Sequence, residues 1–205
     1  NFASRDPKIL VDLHKMTEGH LDATIMVAYL EQQGLTDEDL LTATAKADRI
    51  LNEIETMVAK SSQFVNIAYT PTDLYRLKAE RKKAIMLGIE NGYAIGKDLQ
   101  NVERFRNRGV VYMTLCHNGN NQLCGSCRFN DEGLGVNAFG EEVIHEMNRV
   151  GMMVDISHAG DQTFYDTLDI STKPIVASHS SSRALCNHPR NLTDDQLRAL
   201  AAKGG

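Results

Sequence analysis

The sequence predicts an α/β fold, and within that class a (β/α)8 barrel of the TIM type, present as an incomplete portion of about strands 2 to 6. Three observations predict it. Five short runs are almost continuously apolar, at 23–29 (ATIMVAY), 84–89 (AIMLGI), 110–115 (VVYMTL), 152–156 (MMVDI) and 174–178 (PIVAS). Amphipathic stretches with recognisable helix ends lie between them. Neither Gly-x-Gly-x-x-Gly after the first run nor Gly-x-x-x-x-Gly-Lys-[Ser/Thr] anywhere is present, so the phosphate-cradling devices of many open doubly wound sheets are missing.

Each run lacks the polar alternation of a half-exposed strand and reads as a parallel strand covered on both faces. After the first run, Thr36 precedes Asp37, Glu38 and Asp39, an N-cap followed by acids that suit the positive end of a helix dipole. Leu40, Ala43, Ala47, Ile50, Leu51, Ile54, Met57 and Val58 then mark one apolar face, giving a long helix to about Lys60. A second helix is expected at 139–150, with Glu141 and Glu142 near its start and Gly151 as its C′ stop. Shorter helices are expected at 161–168 and, behind a capping box of Thr193 and Gln196, at 193–202. Strand alternating with helix implies right-handed βαβ units. A complete barrel takes eight strands and about 250 residues, whereas five strands are found in 205 residues. The chain opens on Asn1 and stops after Ala-Ala-Lys-Gly-Gly, so it is expected to be a single barrel domain, residues 1–205, truncated at both ends.

Composition narrows the function. With 22 Lys+Arg against 27 Asp+Glu, the net charge of −5 offers no basic footprint for nucleic acid or an anionic membrane surface. The longest purely apolar stretch, Ile25 to Leu30, is far short of the roughly 20 residues of a transmembrane segment. Four cysteines are too few for a disulfide scaffold of this length. Cys124 and Cys127 form the one close pair and lack the second pair of a structural zinc site, so ordinary loop thiols are expected.

The chemistry lies at strand ends. Glu90, His117, His158 and His179 each fall at or within about two residues of the C-terminal end of a run, and in a parallel α/β fold those ends share the face on which barrel enzymes work. A carboxylate buried at such a mouth calls for a cation. His158 and His179 are separated by about one strand-helix-strand unit, so two imidazoles and a carboxylate would meet as an N/O set that suits zinc. His117, opening a glycine- and asparagine-rich loop, could serve as a ligand, a general acid or base, or a donor toward developing negative charge. Arg190 offers a planar fork for a substrate carboxylate. Ser180, Ser181 and Ser182 lack a nucleophile elbow and read as loop residues, and Thr193 of the Asn191-Leu-Thr193 sequon reads as a helix cap.

The run Glu146-Met-Asn-Arg-Val-Gly-Met-Met-Val-Asp-Ile-Ser-His158, then Pro174-Ile-Val-Ala-Ser-His179-Ser-Ser, then Ser182-Arg-Ala-Leu-Cys-Asn-His-Pro-Arg190-Asn-Leu-Thr-Asp, closely resembles the membrane (renal-type) dipeptidase family. Leu87-Gly-Ile-Glu90-Asn-Gly and Met113-Thr-Leu-Cys-His117-Asn resemble that family's third- and fourth-strand motifs. The resemblance covers roughly residues 22–205 and is most specific from Glu141 onward. It implies a catalytic barrel that holds two zinc ions, hydrolyses dipeptides and forms a homodimer. Carried over by motif, Glu90 corresponds to the carboxylate bridging the metals, and His158 and His179 to the imidazoles of one of them. His117 corresponds to the histidine that contacts substrate and stabilises the tetrahedral intermediate, and Arg190 to the arginine that binds the substrate's C-terminal carboxylate.

The family's first-strand His-x-Asp pair has no counterpart at a strand end before Ala23, its late-strand aspartate would lie beyond Gly205, and His14 and His20, in a polar helical or loop stretch, do not fill the gap. One metal subsite is therefore expected, and the 205 residues alone are expected to bind metal poorly. Two other readings remain open at this point: another metal-dependent amidohydrolase acting on an N-acyl amino acid, cyclic amide or lactone, and a catalytically dead barrel serving as a binding module.

Overall fold

A computed structural model describes residues 2–205. Five strands, β1 (Ala23–Tyr29), β2 (Val65–Ile67), β3 (Lys83–Glu90), β4 (Val110–Thr114) and β5 (Met153–Asp155), form one sheet in which every pairing is parallel. β3 is its spine. It pairs along its length with β1, Ala23 opposite Ala84 through Tyr29 opposite Glu90. Its first residues pair with β2 and its last with β4, and β5 then pairs with β4. Ala84, Ile85, Leu87 and Ile89 of β3 are all buried, as a strand covered on both faces requires. The β3–β4 register shifts between Leu87 and Gly88. There a Cβ on Gly88 would stand 2.8 Å from Cε1 of Tyr112, so only a glycine lets that buried ring lie across β3.

Helices α1 (Leu13–Glu18), α2 (Asp37–Ala59), α3 (Pro71–Ala79), α4 (Gln100–Asn107), α5 (Ala138–Val150), α6 (Asp161–Ile170) and α7 (Asp194–Ala202) connect and follow the strands, with short 3-10 helices at Gly92–Ile95 and Cys127–Glu132. The expected caps are present. Thr36 and Asp39, like Thr193 and Gln196, bond reciprocally as capping boxes. Gly151 ends α5 at φ 75°, a left-handed stop that costs glycine little. α2 buries Leu40, Ala43, Ala47, Leu51, Ile54 and Val58 in the main core, and α5 buries Val143, Ile144 and Met147 there. Among the described residues no helix is long and apolar enough to cross a membrane.

The expectations differ from the structure in three places. No expected element covers β2, α1, α3 or α4: β2 has only three residues and α1 six, while α3 buries only Leu77 and α4 only Val102 and Phe105. The run 174–178 is no full strand: Val176 alone bridges Asp155, bonding Val154 and Ile156, since Pro174 has no N–H to donate and Ser178 turns to the Asp155 carboxylate. β5 is shorter than the run 152–156 that announced it. The cysteines are free thiols, with Cys116, Cys124 and Cys127 buried and Cys186 exposed.

Candidate metal centre

The C-terminal ends of β3, β4 and β5 and the Val176 bridge lie side by side, and each is followed by one of the four residues singled out from the sequence. Glu90 is the last residue of β3, opposite Tyr29 of β1 and Thr114 of β4. Asn91, at φ 95°, turns the chain sharply behind it and is tied down by its own side chain, which donates to Leu30 O at 3.1 Å and accepts from Tyr93 N at 3.1 Å. The His117 loop is fastened by Asn121, whose amide donates to Leu115 O at 2.8 Å and accepts from the backbone of Leu123 and Cys124. His158 sits at φ 70°, a left-handed conformation that few non-glycine residues adopt. Its carbonyl accepts from Cys127 N at 2.8 Å, one of the bonds that hold the chain in this strained turn.

These supports aim three ring nitrogens at one carboxylate oxygen. Nε2 of His117, His158 and His179 lie 3.6, 3.4 and 3.3 Å from Glu90 Oε1. Nε2 of His158 and His179 are 3.0 Å apart. Glu90, His117 and His158 offer ligand atoms all within 4.8 Å of one another. The rings of Tyr29, His117, His158 and His179 form a column with centroids 4.8, 4.0 and 5.0 Å apart in turn. The outer nitrogens of two of these imidazoles are engaged elsewhere, His158 Nδ1 with Asn118 Oδ1 at 3.1 Å and His179 Nδ1 with Ser178 Oγ at 2.7 Å. Two inward nitrogens and an anionic oxygen crowded this closely repel unless a cation or proton lies between them, and an oxygen with imidazole nitrogens is a donor set that suits zinc. The residues present fit a metal ion.

Electrostatics agree. Whenever the His158 and His179 imidazoles carry a proton toward it, they hold the Glu90 carboxyl well below the usual carboxylate range, outweighing its partial burial. Burial pushes the His117 imidazole down to about 4 and lowers His158 as well. Ionised carboxylate and neutral imidazole are the forms that bind a cation. Cys116, beside the site, is pushed far above the usual thiol range by its contact with Cys124 and by burial, so it stays protonated and is no nucleophile.

Arg190 reaches the same rim. Its Nη2 donates to His179 O at 3.1 Å, while the buried Nη1 has no partner among the described residues. The loop that carries it is latched by Arg183, which donates to both carboxylate oxygens of Asp161 at 3.1 and 2.8 Å and to Asn191 O at 2.8 Å. All five residues named from the sequence are thus in one place. His14 is not; it lies against Ala3 O at 3.2 Å. The sequence reading passed over Tyr29, although the same strand-end rule would have found it, and Asp155, whose charge inside an apolar run was the available signal.

A partial α/β barrel whose strand ends gather one carboxylate and three imidazoles belongs to the class of barrels with a candidate metal centre at the C-terminal rim of the sheet. Within that class the chain belongs to the membrane dipeptidase family, peptidase family M19, whose profile matches residues 1–205. It is 34% identical over 205 residues to an uncharacterised dipeptidase of Schizosaccharomyces pombe, covering 95% of this chain and 49% of that protein. It is 30% identical over 199 residues to dipeptidase 3 of Mus musculus, covering 95% of this chain and 39% of that protein. Among solved structures it resembles the probable dipeptidase PvdM of Pseudomonas aeruginosa, at 28% identity and a TM-score of 0.91, over 99% of this chain and 54% of that one. The chain therefore spans about half the length of the curated relatives it matches.

Proposed function

We propose that the full-length protein is a zinc-dependent dipeptidase whose metal centre is held in part by Glu90, His158 and His179. The observation that carries this reading is the convergence of His158 and His179 Nε2 on Glu90 Oε1 at 3.4 and 3.3 Å. Glu90 would hold the metal as its carboxylate ligand, and His158 and His179 would serve as its neutral nitrogen donors. The family's remaining ligands are a His-x-Asp pair at the end of its first strand and a late aspartate; the His20-Leu-Asp22 of this chain precedes β1, and Asp22 pairs with Lys78 and Lys83 instead. When bound, zinc supplies a hydroxide near neutral pH and polarises the scissile carbonyl.

The chain's own residues bind and orient the substrate. Arg190 presents a buried Nη1 that lacks a partner among the described residues, and a substrate's C-terminal carboxylate satisfies it while Nη2 keeps its bond to His179 O. A carboxylate fixed there sets a short distance to the scissile bond, which confines the enzyme to dipeptides. His117 is neutral at working pH, because burial pushes it down to about 4, so it acts as an N–H donor to the oxygen of the tetrahedral intermediate and not as a cation. Its neighbour Glu90 stays ionised throughout this range.

The test is an assay of the full-length protein against a panel of dipeptides, one with a D-residue at the C-terminal position, alongside N-acyl amino acids and lactones, before and after chelation. Chelator-sensitive cleavage of dipeptides is expected. Turnover confined to lactones or N-acyl substrates would overturn the substrate assignment, and zinc-free protein with full activity would overturn the metal.

A further inference from the structure

Asp155 is the last residue of β5 and is completely buried, yet it is no member of the donor cluster. A buried carboxylate is costly unless fully hydrogen-bonded, and this one is. Oδ1 accepts from Ser157 N at 3.1 Å and from Ser178 N at 2.9 Å. Oδ2 accepts from Thr114 Oγ1 at 2.6 Å and from Ser178 Oγ at 2.7 Å. The four bonds tie the end of β4, the end of β5 and the segment before His179 to one group.

Counting protons along this chain of bonds settles more than packing. An ionised carboxylate can only accept, so Ser178 spends its single hydroxyl proton on Asp155. Ser178 Oγ nevertheless lies 2.7 Å from His179 Nδ1, and with its proton committed it can only accept there. Ser157 does not disturb the count. Its Oγ accepts from His179 N at 3.0 Å and keeps its own proton to offer Ser178 Oγ at 3.4 Å. His179 must then carry its proton on Nδ1, and the lone pair of Nε2 faces Glu90 and His158.

We propose that Asp155 is a positioning residue that acts through Ser178 to fix the tautomer and direction of His179, holding Nε2 free to ligate. The inference rests on the reading of His179 as a metal ligand, but the tautomer it names exists with or without metal. Asp155→Asn reverses the relay. With its oxygen kept by the two backbone N–H groups, the new amide nitrogen donates to Ser178 Oγ, the serine proton turns to His179 Nδ1, and the imidazole proton moves to Nε2, where it points at Glu90.

The experiment uses full-length protein, stripped of metal by chelation, labelled with 15N at histidine and held at pH 8, with His179 assigned by its loss in His179→Gln. Long-range 1H–15N correlation reads the tautomer, and competition with a chromophoric chelator reads zinc affinity. The proposal expects Nδ1–H in the wild type, Nε2–H in Asp155→Asn, and a mixture in Ser178→Ala. Zinc affinity should fall about 10- to 100-fold in both variants, while Ser178→Thr, which keeps the hydroxyl, retains the wild-type tautomer and affinity within a few fold. An unchanged tautomer in both Asp155→Asn and Ser178→Ala, or undiminished zinc affinity in both, overturns the proposal. Should Asp155→Asn fail to fold, Ser178→Ala decides alone, because there Asp155 keeps Thr114 and both backbone donors. A wild type that shows the expected tautomers but binds no zinc supports the relay and overturns the metal reading.

Discussion

His117 has an ordinary imidazole value of 6.5, and burial pushes it down to about 4 in the folded chain. Between those two values the unfolded chain holds a proton that the folded chain does not, so stability rises with pH across this window and is lost as pH falls from 6.5 toward 4. His158, lowered by the same cause, adds to that slope, and Glu90, depressed by its imidazole partners, adds a further loss below its ordinary value of 4.5. Melting temperatures of metal-free protein between pH 4 and 7 should therefore climb, and His117→Gln should flatten the upper part of the curve. An equal slope in the variant would assign the effect elsewhere. If Arg190 holds the substrate carboxylate as proposed, Arg190→Ala loses a charged hydrogen bond of about 1.5–3 kcal/mol and should raise KM roughly 10- to 100-fold with kcat little changed; Arg190→Lys should recover only part, since a single ammonium nitrogen lacks the planar fork that spans His179 O and a carboxylate. At this scale the sequence was informative wherever a polar residue closes an apolar run, as Glu90 does. It was silent about Ser178, whose part depends on a bond to Asp155, 23 residues away.

β3 with its neighbours decides whether these residues meet. Gly88→Ala would put a Cβ 2.8 Å from the Tyr112 ring and force that buried side chain out of place; about 1–3 kcal/mol of destabilisation is expected from such overpacking, read as a fall in denaturation midpoint. The loop that carries Arg190 is an element of the same importance. Arg183→Ala removes the fork on Asp161 and the bond to Asn191 O, and backbone amides of 183–192 should then exchange with solvent faster while those of β3 do not change. Elements were legible in proportion to the apolar surface they bury. β1, β3 and β4 announce themselves as continuous runs, and α2 and α5 by both face and caps. β2 is too short to carry a pattern, α3 turns a mostly polar surface to solvent, and the extent of pairing at Val176 depends on where the Asp155 carboxylate draws Ser178.

Across the whole molecule, four sequence-distant groups share a rim because every strand of the sheet runs the same way. Parallelism is enough to explain why the convergence of these four groups could be foreseen from strand ends. Because the chain spans about half the length of its relatives, the proposed centre predicts that these 205 residues hold zinc far more weakly than a protein of the relatives' full length, a comparison that equilibrium dialysis with elemental analysis makes directly. Two tightly held ions in the 205-residue chain would contradict it. The most direct measurement is anomalous diffraction at the zinc edge from crystals of the full-length protein. A peak about 2.0–2.2 Å from a Glu90 carboxylate oxygen and from Nε2 of both His158 and His179 is the expected result; zinc bound elsewhere, with these three side chains left unligated, would contradict it.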